Sequence, residues 1–225
     1  IPQIYIANGD GSGSTVITNM PDGACQPIWS PDGMQLVFTS PCSGPDEKFS
    51  NPFLYIVNAD GTDQRALLSE PGGDYDPSWS PDGTKIVFAS HRTERPSIFM
   101  LDITNETVTL LLEATGNFTE ARNPVWSPAG NQIVYVTTRS GVSKIWAMTD
   151  TGKSPTQLVF NGGDHLDFDP AWSADGKFVR FSQRQLGPSA IWLMQLIYEE
   201  RDSLTASRLR FSPSWIENIE YSPDG

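Results

Sequence analysis

A chain of 225 residues, 38% hydrophobic and 11% aromatic, can bury one large all-β domain or two small ones. Its formal net charge of −12 repels phosphate backbones and anionic lipid, so nucleic acid and anionic membrane surfaces are disfavoured as partners. Cationic peptides, metal ions and basic patches on other proteins are compatible with that charge, which also serves solubility alone.

The chain opens in the middle of a strand-like segment, PQIYIANGDG from Pro2, so no signal peptide is visible in it. This start is expected to be mature, excised or incomplete. No apolar run approaches the length of a membrane span. Cys25 and Cys42 follow, flanking a hairpin that reads PIWSPDGMQLVFTS from Pro27. An antiparallel hairpin brings its two ends together, so these cysteines are expected to form a disulfide, which implies an oxidising compartment. Unlinked thiols are the alternative.

The hairpin sentence then recurs as PSWSPDGTKIVFAS from Pro77, PVWSPAGNQIVYVT from Pro124 and PAWSADGKFVRFSQ from Pro170, with a clipped IEYSPDG at the end. Trp29, Trp79, Trp126, Trp172 and Tyr221 fall at intervals of 50, 47, 46 and 49 residues by subtraction. Periods of this length indicate propellers or solenoids. Each turn is followed by an apolar strand such as Ile86–Val87–Phe88. A second strand comes next (FLYIVN from Phe53, SIFMLD from Ser97, KIWAMT from Lys144, AIWLMQ from Ala190), then a turn and a short third strand. With the segment that carries the Trp, every period holds four antiparallel strands, which is the content of a propeller blade. Within Ser–Pro–Asp–Gly, Pro presets φ, Asp bonds the backbone and Gly takes a positive φ, so this tetrapeptide is turn chemistry rather than a site. The Trp is large enough to fill the wedge between twisted blades.

These residues resemble the TolB-like propeller repeat, also called the PD40 or WD40-like repeat: P-x-W-S-P-D-G-x-x-I-x-F, then I-Y-x-x-x-x-D-G, then a short strand. The match is strong at Pro27–Phe38 and Pro77–Phe88, and good at Pro124–Tyr135 and Pro170–Phe181, where Ala129 and Ala174 replace turn residues. The resemblance implies an all-β chain, a propeller of four-stranded antiparallel blades over residues 1–225. Residues 1–20 would be a half blade, 21–70, 71–116, 117–161 and 162–212 full blades, and 213–225 a second half blade. Family members often have six blades, so an incomplete six-bladed ring or a fragment of a longer chain is expected, with a five-bladed ring as the alternative.

In such a blade order one face carries the turns and the other the inter-blade loops. The residues just before the inner strands align as Gln26, Asp76, Asn123, Asp169 and Asn218, expected around the mouth of a central channel. With Asp74, Arg92 and Arg122 they form a candidate partner-binding set, suited to a basic protein or peptide or an N-terminus. Capping of the turns before the strands is the plainer reading of the Asx residues. Asp164, His165, Asp167 and Asp169 are the densest ligand cluster, and their oxygens would favour calcium over zinc, although the spacing is not that of an EF-hand loop. No other cofactor is implied. Arg95, Arg139 and Arg184 lie in loops of the same face and either clamp carboxylates or hold the loops in place. Arg180 stands where Val37, Val87 and Val134 stand, and needs either an acidic partner or solvent.

No G-x-S-x-G elbow occurs, and there are only two histidines, His91 and His165. No catalytic residue is nominated. The expected function is a non-enzymatic protein- or peptide-binding or scaffold module, periplasmic or extracellular. The alternatives are a metal-dependent polysaccharide lyase or hydrolase, or a substrate-gating propeller of a larger peptidase.

Overall fold

A computed structural model describes residues 1–42, 51–68, 73–116, 119–160, 165–184, 190–195 and 205–211. All of its regular structure is β. Strands β1 (Tyr5–Ile6) and β2 (Thr15–Val16) pair as a short two-stranded sheet. Four sheets of four strands follow. The first holds β3 (Cys25–Trp29), β4 (Gln35–Ser40), β5 (Phe53–Asn58) and β6 (Arg65–Ala66). The second holds β7 (Asp74–Trp79), β8 (Lys85–Ser90), β9 (Ser97–Asp102) and β10 (Thr107–Leu112). The third holds β11 (Ala121–Trp126), β12 (Gln132–Thr137), β13 (Lys144–Thr149) and β14 (Thr156–Gln157). The fourth holds β15 (Leu166–Trp172), β16 (Phe178–Arg184), β17 (Ala190–Gln195) and β18 (Thr205–Phe211). In every sheet the strands lie in chain order, an antiparallel meander.

The turns between the first two strands of each sheet explain the repeated tetrapeptide. Ser30 donates its hydroxyl to Asp32 at 2.6 Å, and Asp32 Oδ1 also accepts the Met34 amide at 3.0 Å. Ser80–Asp82 and Ser173–Asp175 repeat this at 2.7 and 2.6 Å. The hydrogen bonds hold these carboxyls below the ordinary range, Asp82 at about 2. Where Ala129 replaces the Asp, the Ser127 hydroxyl reaches Asn131 instead, at 3.2 Å. The turn glycines Gly33, Gly83, Gly130 and Gly176 all have positive φ, which only glycine adopts without cost.

Two compact units divide the chain, Ile1–Thr109 and Leu110–Gly225, with the boundary inside β10. In the first unit, Ile4, Ile17 and Met20 pack on Leu36, Phe38 and Val57 of the first sheet. The opposite face of that sheet gives Val37, Leu54 and Ile56 to a second core with Trp79, Ile86, Phe88, Phe99 and Leu101. The alternation of side chains along each strand therefore serves two interfaces at once, so central strands read as continuous apolar runs. Trp79 is the wedge: its ring is buried and its indole N–H donates to the Ile28 carbonyl of the preceding sheet at 3.3 Å. In the second unit Trp172 repeats the device, donating to the Val125 carbonyl at 3.2 Å within a core of Val134, Val136, Ile145, Val179 and Phe181. Trp29, preceded only by the two-stranded sheet, is 46% exposed.

Candidate functional site

Each of β3, β7, β11 and β15 breaks register once, and the break falls at the same repeat position. Gln26, Asp76, Asn123 and Asp169 lie there with φ of 52°, 52°, 47° and 51°. Each precedes a proline, and each is half-buried. A left-handed residue in a bulge is ordinarily glycine, because a Cβ costs about 1–2 kcal/mol there. Asn and Asp tolerate the region better than other residues, and Gln does not share that ease. Four side chains are kept at a costly backbone position where glycine would relieve it, a pattern associated with sites where the side chain is used.

In the first unit the use is visible. The Gln26 amide donates to Asp76 Oδ1 at 2.7 Å, and the Asp76 backbone amide donates to Gln26 Oε1 at 3.1 Å. The Thr39 hydroxyl donates to the same Oε1 at 3.1 Å. Equivalent positions of neighbouring sheets are thus tied side chain to side chain. The Cys25–Cys42 disulfide, Cα–Cα 6.1 Å, fixes the chain immediately before Gln26. The hairpin ends do meet as the two cysteines imply. In the second unit Asn123 and Asp169 occupy the same bulges. Asn218 lies outside the described residues.

Behind the bulges sit two buried carboxylates. Asp74 is fully buried and accepts from Arg92 through both Nε (3.2 Å, to Oδ1) and Nη2 (2.7 Å, to Oδ2). This forked contact makes Asp74 and Arg92 an internal pair, with the guanidinium still partly exposed. Asp167 is also fully buried; it accepts from Gln183 Nε2 at 2.7 Å and lies 3.6 Å from Lys144 Nζ. Lys144 itself is buried and donates to the His165 carbonyl at 2.9 Å. Burial pushes the Asp167 carboxyl up, opposed by the Gln183 hydrogen bond and the Lys144 charge.

Lys144 and Gln183 were not singled out by their residue types or motif. The available signal was positional. Five residues before the Trp, the repeats read Ala24, Asp74, Ala121, Asp167, so alternate sheets place an acid where the others place a methyl group. A carboxylate at an otherwise apolar slot demands a partner.

Of the expected calcium ligands, Asp167 lies 3.6 Å from Lys144 Nζ, and Asp164 lies outside the described residues. Among the described residues no three His, Cys, Asp or Glu side chains converge as a metal would require. His91 lies exposed beside the Tyr75 ring, centroids 5.6 Å apart. Arg122 pairs with Glu120. Arg139 stacks over Trp146 at 5.6 Å, Arg95 and Arg180 are half-buried, and Arg184 is exposed.

Within the second unit a cleft of about 250 Å³ opens at this level. Arg122 and Asn123 of β11 form one wall, Leu166 and Phe168 of β15 another, with Asp167 and Arg184 completing it.

Repeated four-stranded meanders, wedge tryptophans and polar bulges on the innermost strands define a β-propeller. The family model described as the TolB beta propeller domain matches residues 1–120 and 51–221, and the chain belongs to that family. No curated protein matches the chain. Among solved structures, TolB from Acinetobacter baumannii is similar at 23% identity and a TM-score of 0.75, covering 93% of this chain and 49% of that one. A TolB described as putative, from Agrobacterium tumefaciens, is similar at 21% identity and a TM-score of 0.63, covering 93% and 88%. Oligogalacturonate lyase from Vibrio parahaemolyticus has 11% identity and a TM-score of 0.64, covering 94% and 59%. The chain thus spans about half the length of the Acinetobacter protein.

Proposed function

We propose that this chain is a non-enzymatic recognition module of the periplasm or extracellular space, binding a protein or peptide through the face that carries the bulged inner-strand starts. The observation that carries this reading is the repeated left-handed Gln26, Asp76, Asn123 and Asp169. Polar side chains are retained there at a conformational cost that glycine would remove. Membership of the TolB propeller family supports a binding role, and the Cys25–Cys42 bridge supports an oxidising compartment. With a net charge of −12 and acids at two of the four bulges, a basic segment or a free N-terminus is the partner chemistry that fits.

The test is titration of lysine-bearing peptides onto the chain in the presence of a chelator. Binding should persist without metal and weaken on Asp76→Ala and on Asp169→Ala. Unchanged affinity in both variants contradicts the assigned face. The competing reading, a metal-dependent polysaccharide lyase or hydrolase, draws on the similarity to the oligogalacturonate lyase fold. It requires bound metal by elemental analysis and turnover that His165→Ala abolishes. A substrate-gating role in a larger peptidase requires a hydrolase domain in the parent protein.

A further inference from the structure

We infer that Asn8 is a site of spontaneous modification: the folded chain converts Asn8–Gly9 through a cyclic imide to aspartate and isoaspartate, while the equivalent pair Asn58–Ala59 stays intact. The inference is independent of the recognition reading, because Asn8 lies between β1 and β2, away from the bulged strand starts in the sequence.

Asn8 and Asn58 open the same turn in the first unit. Asn8 N donates to Ser12 O at 2.8 Å and Gly11 N to Asn8 O at 2.8 Å, and Asn58 N donates to Thr62 O at 2.9 Å and Gly61 N to Asn58 O at 2.8 Å. Each side-chain amide donates to the hydroxyl of Ser12 or Thr62 at 3.0 Å, and that hydroxyl donates to Asp10 or Asp60 at 2.6 Å. Contacts shared this closely do not set the two asparagines apart. The next residue does. Ala59 N donates to Met34 O at 2.9 Å, and the later repeats keep the bond, Ile103 N to Thr84 O at 3.0 Å and Asp150 N to Asn131 O at 3.2 Å. Among the described residues Gly9 N has no such acceptor. Gly9 is exposed, and a Cβ built on it would meet nothing within 4 Å.

Both differences act on ring closure. The backbone nitrogen after the asparagine must lose its proton and attack the side-chain carbonyl carbon. A nitrogen already donating to a carbonyl is held back from that proton loss, and a Cβ beside it crowds the approach. Gly9 carries neither restraint, and glycine reaches the required φ at least steric cost. In the step, Gly9 N bonds to Asn8 Cγ, the Cγ–Nδ2 bond breaks, and Nδ2 leaves as ammonia with the proton that Gly9 N gave up. Water then opens the imide at Cγ to give aspartate, or at the Asn8 backbone carbonyl carbon to give isoaspartate. Water is the only co-reactant. The product places a carboxylate near Asp10 and removes the donor to Ser12 Oγ, so the β1–β2 turn is the part of the fold that changes. The other Asn–Gly pair of the chain, Asn161–Gly162, lies outside the described residues.

Peptide mapping by mass spectrometry of the folded chain, aged in mildly alkaline buffer, tests the assignment. Asn8 should convert to a mixture of isoaspartate and aspartate, at a rate that rises in proportion to hydroxide, while Asn58 remains an amide. Gly9→Ala should abolish conversion at Asn8; Gly9 lies outside the left-handed region, so alanine fits there without strain. Ala59→Gly should leave Asn58 slower than Asn8, because its neighbour's nitrogen still donates to Met34 O. An Asn8 that persists as the amide overturns the proposal, as does conversion that survives Gly9→Ala. Aspartate without isoaspartate contradicts the imide route, and Asn58 converting as fast as Asn8 in Ala59→Gly contradicts the part assigned to the free Gly9 amide.

Discussion

Asp74 and Asp167 hold the same place in the second and fourth sheets, five residues before Trp79 and Trp172, and both are fully buried. Their partners differ. Asp74 receives a forked guanidinium from Arg92, a residue just beyond β8 of its own sheet. Asp167 receives an amide from Gln183 of its own sheet and an ammonium at 3.6 Å from Lys144, which opens β13 of the preceding sheet. The backbone slot is shared even in detail: Asp74 N donates to Pro52 O at 2.8 Å and Asp167 N to Ser143 O at 2.9 Å, each acceptor one residue ahead of the third strand of the preceding sheet. One fold position thus accepts two electrostatic solutions. The first closes the carboxylate with two charge-assisted bonds. The second spreads the work over two elements and leaves the acid with a raised proton affinity beside a cleft.

Arg92→Ala should have the largest effect. It strips both donors from a buried carboxylate and should cost about 3–5 kcal/mol in chemical denaturation. Lys144→Met should cost less, about 1.5–3 kcal/mol, because Gln183 still serves Asp167 and the acid can take up a proton. Equal losses in these two variants would erase the distinction between the pairs. Gln183→Leu, which removes one hydrogen bond and keeps the ammonium, should cost about 1–2 kcal/mol.

Asp167→Asn should change the pH profile more than the stability itself. With its folded proton affinity raised, Asp167 stays protonated in the folded chain over a range where the unfolded chain has released that proton. Its contribution is therefore fully present below the ordinary carboxylate range and is lost as pH rises through the raised folded value. Denaturant midpoints from about pH 4 to about pH 7 should show the unaltered chain losing stability relative to Asp167→Asn as pH rises. A difference that runs the other way would mean that the Asp167 carboxylate is stabilised as the anion.

The same comparison separates what the sequence reveals from what it hides. Blade content was legible because turns and wedges are local chemistry. Ser–Pro–Asp–Gly closes on its own side chains, and a Trp at a fixed interval needs a fixed cavity. The pairing of Cys25 with Cys42 was legible because an antiparallel hairpin dictates which ends meet. The polar residues before the prolines were legible as an aligned set, but their left-handed backbone was not. A residue before proline usually signals extended backbone, and the bulge that overrides this exists only once the neighbouring strand is in place. Lys144 and Gln183 were illegible for a related reason. Each reads as an ordinary strand residue until packing brings it onto Asp167. Asp74 and Arg92, both expected at the partner-binding face, pair with each other, 18 residues apart in the chain.

Recognition at the bulged face is tested most directly by backbone amide NMR with a lysine-bearing peptide. Chemical-shift changes should concentrate at Gln26, Asp76, Asn123 and Asp169 and leave the turns at Asp32, Asp82 and Asp175 unmoved. Shifts confined to those turns, or a titration that moves no amide near the bulges, would contradict it.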